Sequence, residues 1–194
     1  MSRKTFFWFE LAFRLFPNAS YIAKGDDDMF LRVPQYLADL RSLPRRGLYW
    51  GIVAMEPYPV EFWYAFGACY TLARDAVEQL VSFLPLVRLV SVPYTSEWDA
   101  EYHSLMMQAE DAMVGLALEK MGYRGRLIFV SEGRCAFHDV HNGPRLEPVR
   151  PSSVMIHHVR EGDYNQLMER FGGGTVAVAR KLKRSKKRRL DFSC

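Results

Sequence analysis

The chain has 194 residues, 49% hydrophobic and 25% charged, a composition that fits one folded domain and excludes a disordered or low-complexity chain. Its net charge of +4 is concentrated at one end. Eight of the ten residues from Arg180 to Arg189 are Lys or Arg, and the other 18 basic residues face 22 acids, so the rest of the chain carries about −4.

Phe6 to Phe16 is strongly apolar but is interrupted by Glu10 and Arg14. It reads as an amphipathic helix from about Lys4 to Phe16, stopped by Pro17-Asn18, and not as a signal peptide or the ~18–20 apolar residues needed to cross a bilayer. Tyr21-Ile22-Ala23 predicts a short buried strand that runs into Lys24-Gly25-Asp26-Asp27-Asp28. Val33, Tyr36, Leu37 and Leu40 give the stripe of an amphipathic helix, with Pro34 in its first turn. Gly47 to Ala54 predicts a strand, and the aromatic stretch Glu56 to Tyr64 a turn-rich segment. A helix follows with Ala73, Ala76, Val77, Leu80 and Leu84 on one face; Leu86 to Met107 has no clear period. Glu110-Asp111 opens a helix whose inner face is Met113, Val114, Ala117, Leu118 and Met121, closed by Gly122. Leu127 to Val130 predicts a strand, residues to Ser153 a loop rich in His, Gly and Pro, Val154 to His158 a last strand and Gly162 to Phe171 a last helix. This order predicts an α/β domain over residues 1–179. Three cysteines, Cys69, Cys135 and Cys194, are too few for a disulfide scaffold and lack metal-ligand spacing. A Cys69–Cys135 bridge and two free thiols are both open.

Asp26, Asp27 and Asp28 are the most informative residues. Three adjacent carboxylates repel one another, so they are either solvated or gathered around a cation. The strand before them and the apolar Met29-Phe30-Leu31 after them favour the cation. Alternation in an extended backbone turns Asp26 and Asp28 to one side and Asp27 to the other. The carboxyl end of a strand is where open α/β sheets bind ligands, and oxygen donors suit Mg²⁺ or Mn²⁺. Glu110-Asp111 in a helix's first turn is by itself a favourable interaction with the helix dipole. His157-His158 sits on a strand, where alternation sends the two rings to opposite faces.

Together these segments resemble the inverting β-1,3-glycosyltransferase family that includes β-1,3-galactosyl- and N-acetylglucosaminyltransferases. Lys24-Gly25-Asp26-Asp27-Asp28-Met29-Phe30 is similar to its strand-end motif. Tyr49-Trp50-Gly51 resembles its Tyr-x-Gly segment, Tyr58-Pro59 through Gly67-Ala68-Cys69-Tyr70 its Tyr-Pro…Gly-x-Gly-Tyr stretch, and Glu110-Asp111-Ala112-Met113-Val114-Gly115 its Glu-Asp-Val-x-x-Gly motif. The overall pattern is most similar to protozoan members that decorate surface glycoconjugates. Cys69 departs from the family's second Gly, and Glu61-Phe62-Trp63 from its usual spacing.

The resemblance implies a GT-A fold with a mixed sheet, a UDP-sugar donor, a glycan acceptor and a divalent cation, Mn²⁺ with Mg²⁺ as an alternative. It makes Asp28, Asp26 and His157 the metal ligands, with His158 in place of His157 if the register is off by one. It assigns Lys24, Asp26, Asp27, Gly67 and Ala68 to the donor, Glu110 to the acceptor, and Asp111 to the general base that takes the acceptor's proton. The family's nucleotide-binding half precedes the Asp triplet by roughly a hundred residues. The chain is therefore expected to be the C-terminal, catalytic portion of a protein held on the luminal side of the Golgi membrane by an N-terminal anchor outside it.

The basic run at residues 180–194 is expected to be a solvated, disordered tail. The acidic body offers no basic groove to extend it, so nucleic acid is not expected as a partner. A degenerate, non-catalytic relative acting as an interaction module is one rival reading and a nucleic-acid-binding protein driven by the basic run is the other; within enzymes, a metal-free glycoside hydrolase with paired carboxylates is a further alternative.

Overall fold

The computed structural model describes residues 1–57, 60–173, 176–186 and 188–193. Tyr58-Pro59, part of the resemblance above, lies outside them. The chain is an α/β domain built on a mixed six-stranded sheet in the order β1-β4-β3-β5-β9-β8. These strands are β1 (Tyr21–Gly25), β3 (Leu48–Glu56), β4 (Phe62–Ala73), β5 (Ile128–Ser131), β8 (Leu182–Lys186) and β9 (Arg189–Phe192). β4 pairs antiparallel with β1 and β3, while β5 runs parallel to both β3 and β9. A second, three-stranded sheet has β7 (Met155–His157) between β2 (Phe30–Leu31) and β6 (Phe137–Asp139).

Period-two alternation in the central strands separates two cores. Tyr49, Tyr70 and Leu72 face the helices α1 (Ser2–Leu15), α3 (Arg74–Ser82), α4 (Leu84–Ser91) and α6 (Glu110–Lys120). Leu48, Trp50, Cys69 and Ala73 face the opposite side, where α2 (Val33–Leu40) and the small sheet supply Tyr36, Phe137 and Met155. Strands covered on both faces read as continuous apolar runs, which is why β3 shows no polar alternation over its first five residues. Cys69 is a free thiol buried there, so the Cys69–Cys135 bridge is not made.

Several elements differ from their sequence expectation. The segment around Glu56 to Tyr64 is not all turn: β4 begins at Phe62 and continues for 12 residues. The helix expected to reach Leu84 ends at Ser82 and restarts as α4, because Pro85 is tolerated only in a helix's first turn. Leu84 is consequently exposed and not inward. The irregular stretch to Met107 contains α4 and α5 (Asp99–Ser104). In α2 the buried residues are Gln35, Tyr36 and Asp39, while Val33 and Leu37 are exposed.

The largest correction concerns the basic run, whose described residues 180–186 and 188–193 are not a solvated tail. β9 pairs with β5, Phe129 opposite Arg189 and Ser131 opposite Asp191, and β8 forms the sheet's edge. Arg180 reaches into the body, where its Nη2 donates to Asp39 Oδ2 and Glu132 Oε1 at 2.7 Å each, and its Nη1 to Glu132 Oε2 at 2.9 Å. Gln35 grips the backbone of Val178 from both sides, donating to its carbonyl and accepting from its N–H. These partners explain the polar burial in α2. The exposed Lys183 and Arg184 lie on an edge strand, where charge discourages further strand pairing.

Candidate metal and acid–base site

The Asp triplet follows β1 as a turn between β1 and β2, not as extended chain. Its backbone is fixed at both ends: Asp26 N–H donates to the carbonyl of Ala68 on β4, and Val159 N–H donates to the carbonyl of Asp28. Pairing of β2 with β7, Phe30 opposite Ile156, then brings His157 beside the triplet. His157 Nε2 lies 3.2 Å from Asp28 Oδ1 and 3.6 Å from Asp26 Oδ2. The expectation that Asp26 and Asp28 share a side holds, with Asp27 exposed.

The expectation for the two histidines does not hold. His158 has a φ of 59°, in the left-handed region, one residue past the end of β7. That conformation breaks the alternation and folds the second ring back onto the first, with 3.8 Å between ring centroids. Both imidazoles therefore reach the site, and His158 Nδ1 lies 3.4 Å from Asp28 Oδ2. One donor atom each from Asp28, His157 and His158 falls within 4.8 Å of the others, a spacing that can hold a cation.

Asp139, which the sequence did not single out, completes the arrangement. It pairs with His157 across β6 and β7 and sits 3.1 Å from His157 Nδ1 through Oδ1. Its Oδ2 accepts the backbone N–H of Arg145. A carboxylate on one imidazole nitrogen leaves the other turned toward Asp28, the way proteins orient metal-binding histidines. Asp26 first, and then Asp139, push the His157 pKa above its ordinary value against the opposing effect of burial. His157 in turn, aided by Lys24 and opposed by burial, holds Asp26 below the usual carboxylate range.

A continuous polar chain links this cluster to the helix-tip acids. Lys24 Nζ donates to Asp26 Oδ1 at 2.6 Å, to the Gly67 carbonyl at 2.7 Å and to Glu110 Oε1 at 2.8 Å. Burial alone would lower the Lys24 pKa, but the bonds to Asp26 and Glu110 outweigh it and raise it. Glu110 Oε2 accepts from Thr5 and from Tyr70, so both its oxygens are engaged. Asp111 turns to the other side of the same strand segment and accepts the Gly67 N–H at 3.2 Å through Oδ2.

Gly67 is thus a hub. A Cβ there would stand 2.6 Å from Glu110 Oε1, so the missing side chain makes room for the Lys24–Glu110 pair against β4. Ala68 contributes its carbonyl to Asp26, and its own side chain is buried in the core beneath.

The acids are contiguous but do not share one cavity. A cavity of about 410 Å³ is bordered by Lys4, Trp8, Lys24, Asp26, Asp27 and Glu110. Asp28 borders a neighbouring cleft of about 380 Å³ with Arg160 and Tyr164, and Asp27 lines both. Asp111 lines neither of these two. No family model and no curated protein matches this chain.

Proposed function

We propose that the chain is the catalytic part of a metal-dependent, inverting hexosyltransferase with a GT-A fold. In this reading it moves galactose or N-acetylglucosamine from a UDP-sugar to a glycan hydroxyl, in β-1,3 linkage, on the luminal side of the Golgi membrane. The observation that carries it is the link through Lys24 between the Asp26, Asp28 and His157 cluster and the Glu110-Asp111 helix tip. The mixed sheet with acids at a strand's carboxyl end supports the fold assignment.

One carboxylate and two imidazoles fit Mn²⁺ better than Mg²⁺, which prefers oxygen donors and its own water. A bound Mn²⁺ supplies Lewis-acid charge at the departing diphosphate. Asp28, His157 and His158 are the residues that would hold it, with Asp26 beside them. In this reading Asp27, exposed between the two clefts, meets the donor, and Lys24 offsets the negative charge gathered around Asp26. Glu110 orients the acceptor from the cavity wall, and Asp111, next to it at the helix tip, is the general base for the attacking hydroxyl.

A second reading has one observation in its favour. Glu110 is held by Lys24, Thr5 and Tyr70 with its side chain only 12% exposed, which suits a structural acid in a non-catalytic relative.

Titration calorimetry with Mn²⁺ and UDP, followed by a UDP-release assay with UDP-galactose and UDP-N-acetylglucosamine, separates the two. Transfer that falls ~10²–10⁴-fold in Asp111→Asn while Mn²⁺ affinity is kept supports the enzyme. A folded protein that binds neither Mn²⁺ nor UDP ends it.

A further inference from the structure

Trp8 puts an aromatic ring on the wall of the cavity of about 410 Å³ that also holds Lys24, Asp26, Asp27 and Glu110. Helical spacing sets it there. Lys4 and Thr5, four and three residues before it, line the same cavity, while Phe6, Phe9 and Ala12 fill the core. The helix is tied down on that side, since Thr5 Oγ1 donates to Glu110 Oε2 at 2.9 Å and Ser2 Oγ to the Met107 carbonyl at 2.6 Å. The ring is tied as well: its Nε1 donates to the carbonyl of Ala23, the residue before Lys24, at 2.9 Å. An indole held by its edge keeps its faces for other contacts, and Trp8 remains 42% exposed.

The polar lining narrows what can lie against that ring. Lys24 is bonded to Asp26 and Glu110, two of the three carboxylates, so the lining has no surplus of positive charge with which to hold an anion. Carboxylate oxygens only accept hydrogen bonds. A ligand that fits therefore brings hydroxyl donors at its rim, an apolar face for the indole and no net charge. A neutral pyranose has all three, with hydroxyls around its edge and C–H groups on the face that meets the electron-rich aromatic surface. A nucleobase also stacks, but its carbonyl oxygens are acceptors and would face carboxylates.

We propose that Trp8 is the specificity-determining platform of this cavity and stacks on a neutral pyranose ring whose hydroxyls reach the carboxylates of Asp27 and Glu110. Under the transferase reading, on which this role rests, the ring is the acceptor's, because the proposed metal ligand Asp28 borders the neighbouring cleft.

Saturation-transfer NMR and tryptophan fluorescence with methyl β-galactoside, methyl β-glucoside and methyl β-glucuronide test the platform without any transfer step. A neutral glycoside binds saturably, receives saturation most strongly on its ring C–H protons, and binds more tightly than the glucuronide. Trp8→Ala weakens it about tenfold, Trp8→Phe recovers most of that loss and Trp8→Leu does not, with unchanged circular-dichroism spectra. A purely structural Trp8 gives lowered melting temperatures with unchanged glycoside affinity, and that result overturns the proposal. So does a glucuronide that binds more tightly than both neutral glycosides, or uridine that displaces them and itself depends on Trp8. If Trp8→Ala does not fold, oxidation of Trp8 by N-bromosuccinimide decides: protection by the neutral glycoside supports the stacking, and oxidation at an unchanged rate overturns it. In a transfer assay the acceptor KM of Trp8→Ala rises about tenfold while kcat stays within about twofold. Glycoside binding at Trp8 without transfer from any UDP-sugar sinks the transferase reading and leaves the platform standing. Transfer whose acceptor KM is indifferent to Trp8→Ala sinks the platform and leaves the transferase.

Discussion

His157, His158 and Asp139 show how two residues adjacent in sequence and one eighteen positions away become a single group. The triplet and the histidines were legible because they are chemically conspicuous. The convergence of both rings was not, because alternation predicts side-chain direction only while the backbone stays extended, and His158 leaves it. Asp139 was invisible for a different reason: its role depends on the register of β6 against β7, a long-range choice with no local pattern. Its contact with His157 Nδ1 makes a specific demand. On the proposed metal reading, Asp139→Asn keeps the donor atoms of Asp28, His157 and His158 but loosens the imidazole, so Mn²⁺ affinity measured by calorimetry falls about 10–100-fold. His157→Ala removes a donor outright and falls further. Equal affinity in Asp139→Asn and the unaltered protein shows that the carboxylate does not orient the ring. Cys69 gives a second residue-scale outcome. Burial pushes its thiol up to about 12, so at pH 8 it stays protonated and closed to a thiol reagent. A peptide containing Cys69 is alkylated in urea and not in buffer. Because the folded value lies above the unfolded one, this thiol's contribution to stability is complete below about pH 8.5 and is lost as pH rises toward about 12.

At the scale of elements, the helices that carry their own period were legible, and those that answer to distant partners were not. α1 stands close to its predicted range because apolar spacing and end signals agree there, and α6 because Glu110-Asp111 and Gly122 mark its ends, although Ala112 to Leu118 are buried all round. α2 was legible as a helix but not in its facing: Arg180 and the Val178 backbone, about 140 positions away, turn Gln35 and Asp39 inward. Glycine spacing hides a similar pair of long-range demands. Gly115 in α6 lies against β4, where an added Cβ would stand 2.5 Å from the Trp63 carbonyl and 2.6 Å from Tyr64 Cβ. Backbone cannot swing aside, so Gly115→Ala lifts the helix off the strand and costs about 1–3 kcal/mol, lowering Tm by roughly 2–10 °C. Gly67→Ala meets instead the end of the Glu110 side chain, which can move. That substitution spares stability more and disturbs the Lys24–Glu110 pair, so on the proposed transferase reading its larger effect falls on UDP-sugar turnover. A thermal melt and a UDP-release assay on both variants read the contrast; equal melting temperatures remove the packing argument.

For the whole molecule, the strands β8 and β9 belong to the folded domain. A run of eight basic residues in ten predicts repulsion and solvation, and composition alone offers no reason to fold it. The order comes from apolar and paired residues set among the charges. Phe192 packs beside Trp50, Leu182 and Leu190 back it, and Arg189 lies over the Trp63 ring. Arg180 is the anchor, because the side chains of Asp39 and Glu132 that it bridges are both 0% exposed. Removing the guanidinium leaves two buried carboxylates facing each other without a counter-charge, and such a loss costs about 3–5 kcal/mol. Arg180→Ala should therefore shift the urea midpoint sharply, and Arg180→Lys should recover only part of it, since an ammonium cannot bridge both acids in a fork. The pH dependence has a definite sign. Burial already raises the Glu132 pKa, and Arg180 is the main group holding it down. Without Arg180 the folded value climbs further above the unfolded one, so Glu132 is tolerated as a neutral acid at low pH and becomes a buried, unpaired charge as pH rises. The stability deficit of Arg180→Ala relative to the unaltered protein is then smaller near pH 5 than near pH 8. A deficit that stays constant or shrinks over that interval shows that Glu132 does not carry the cost.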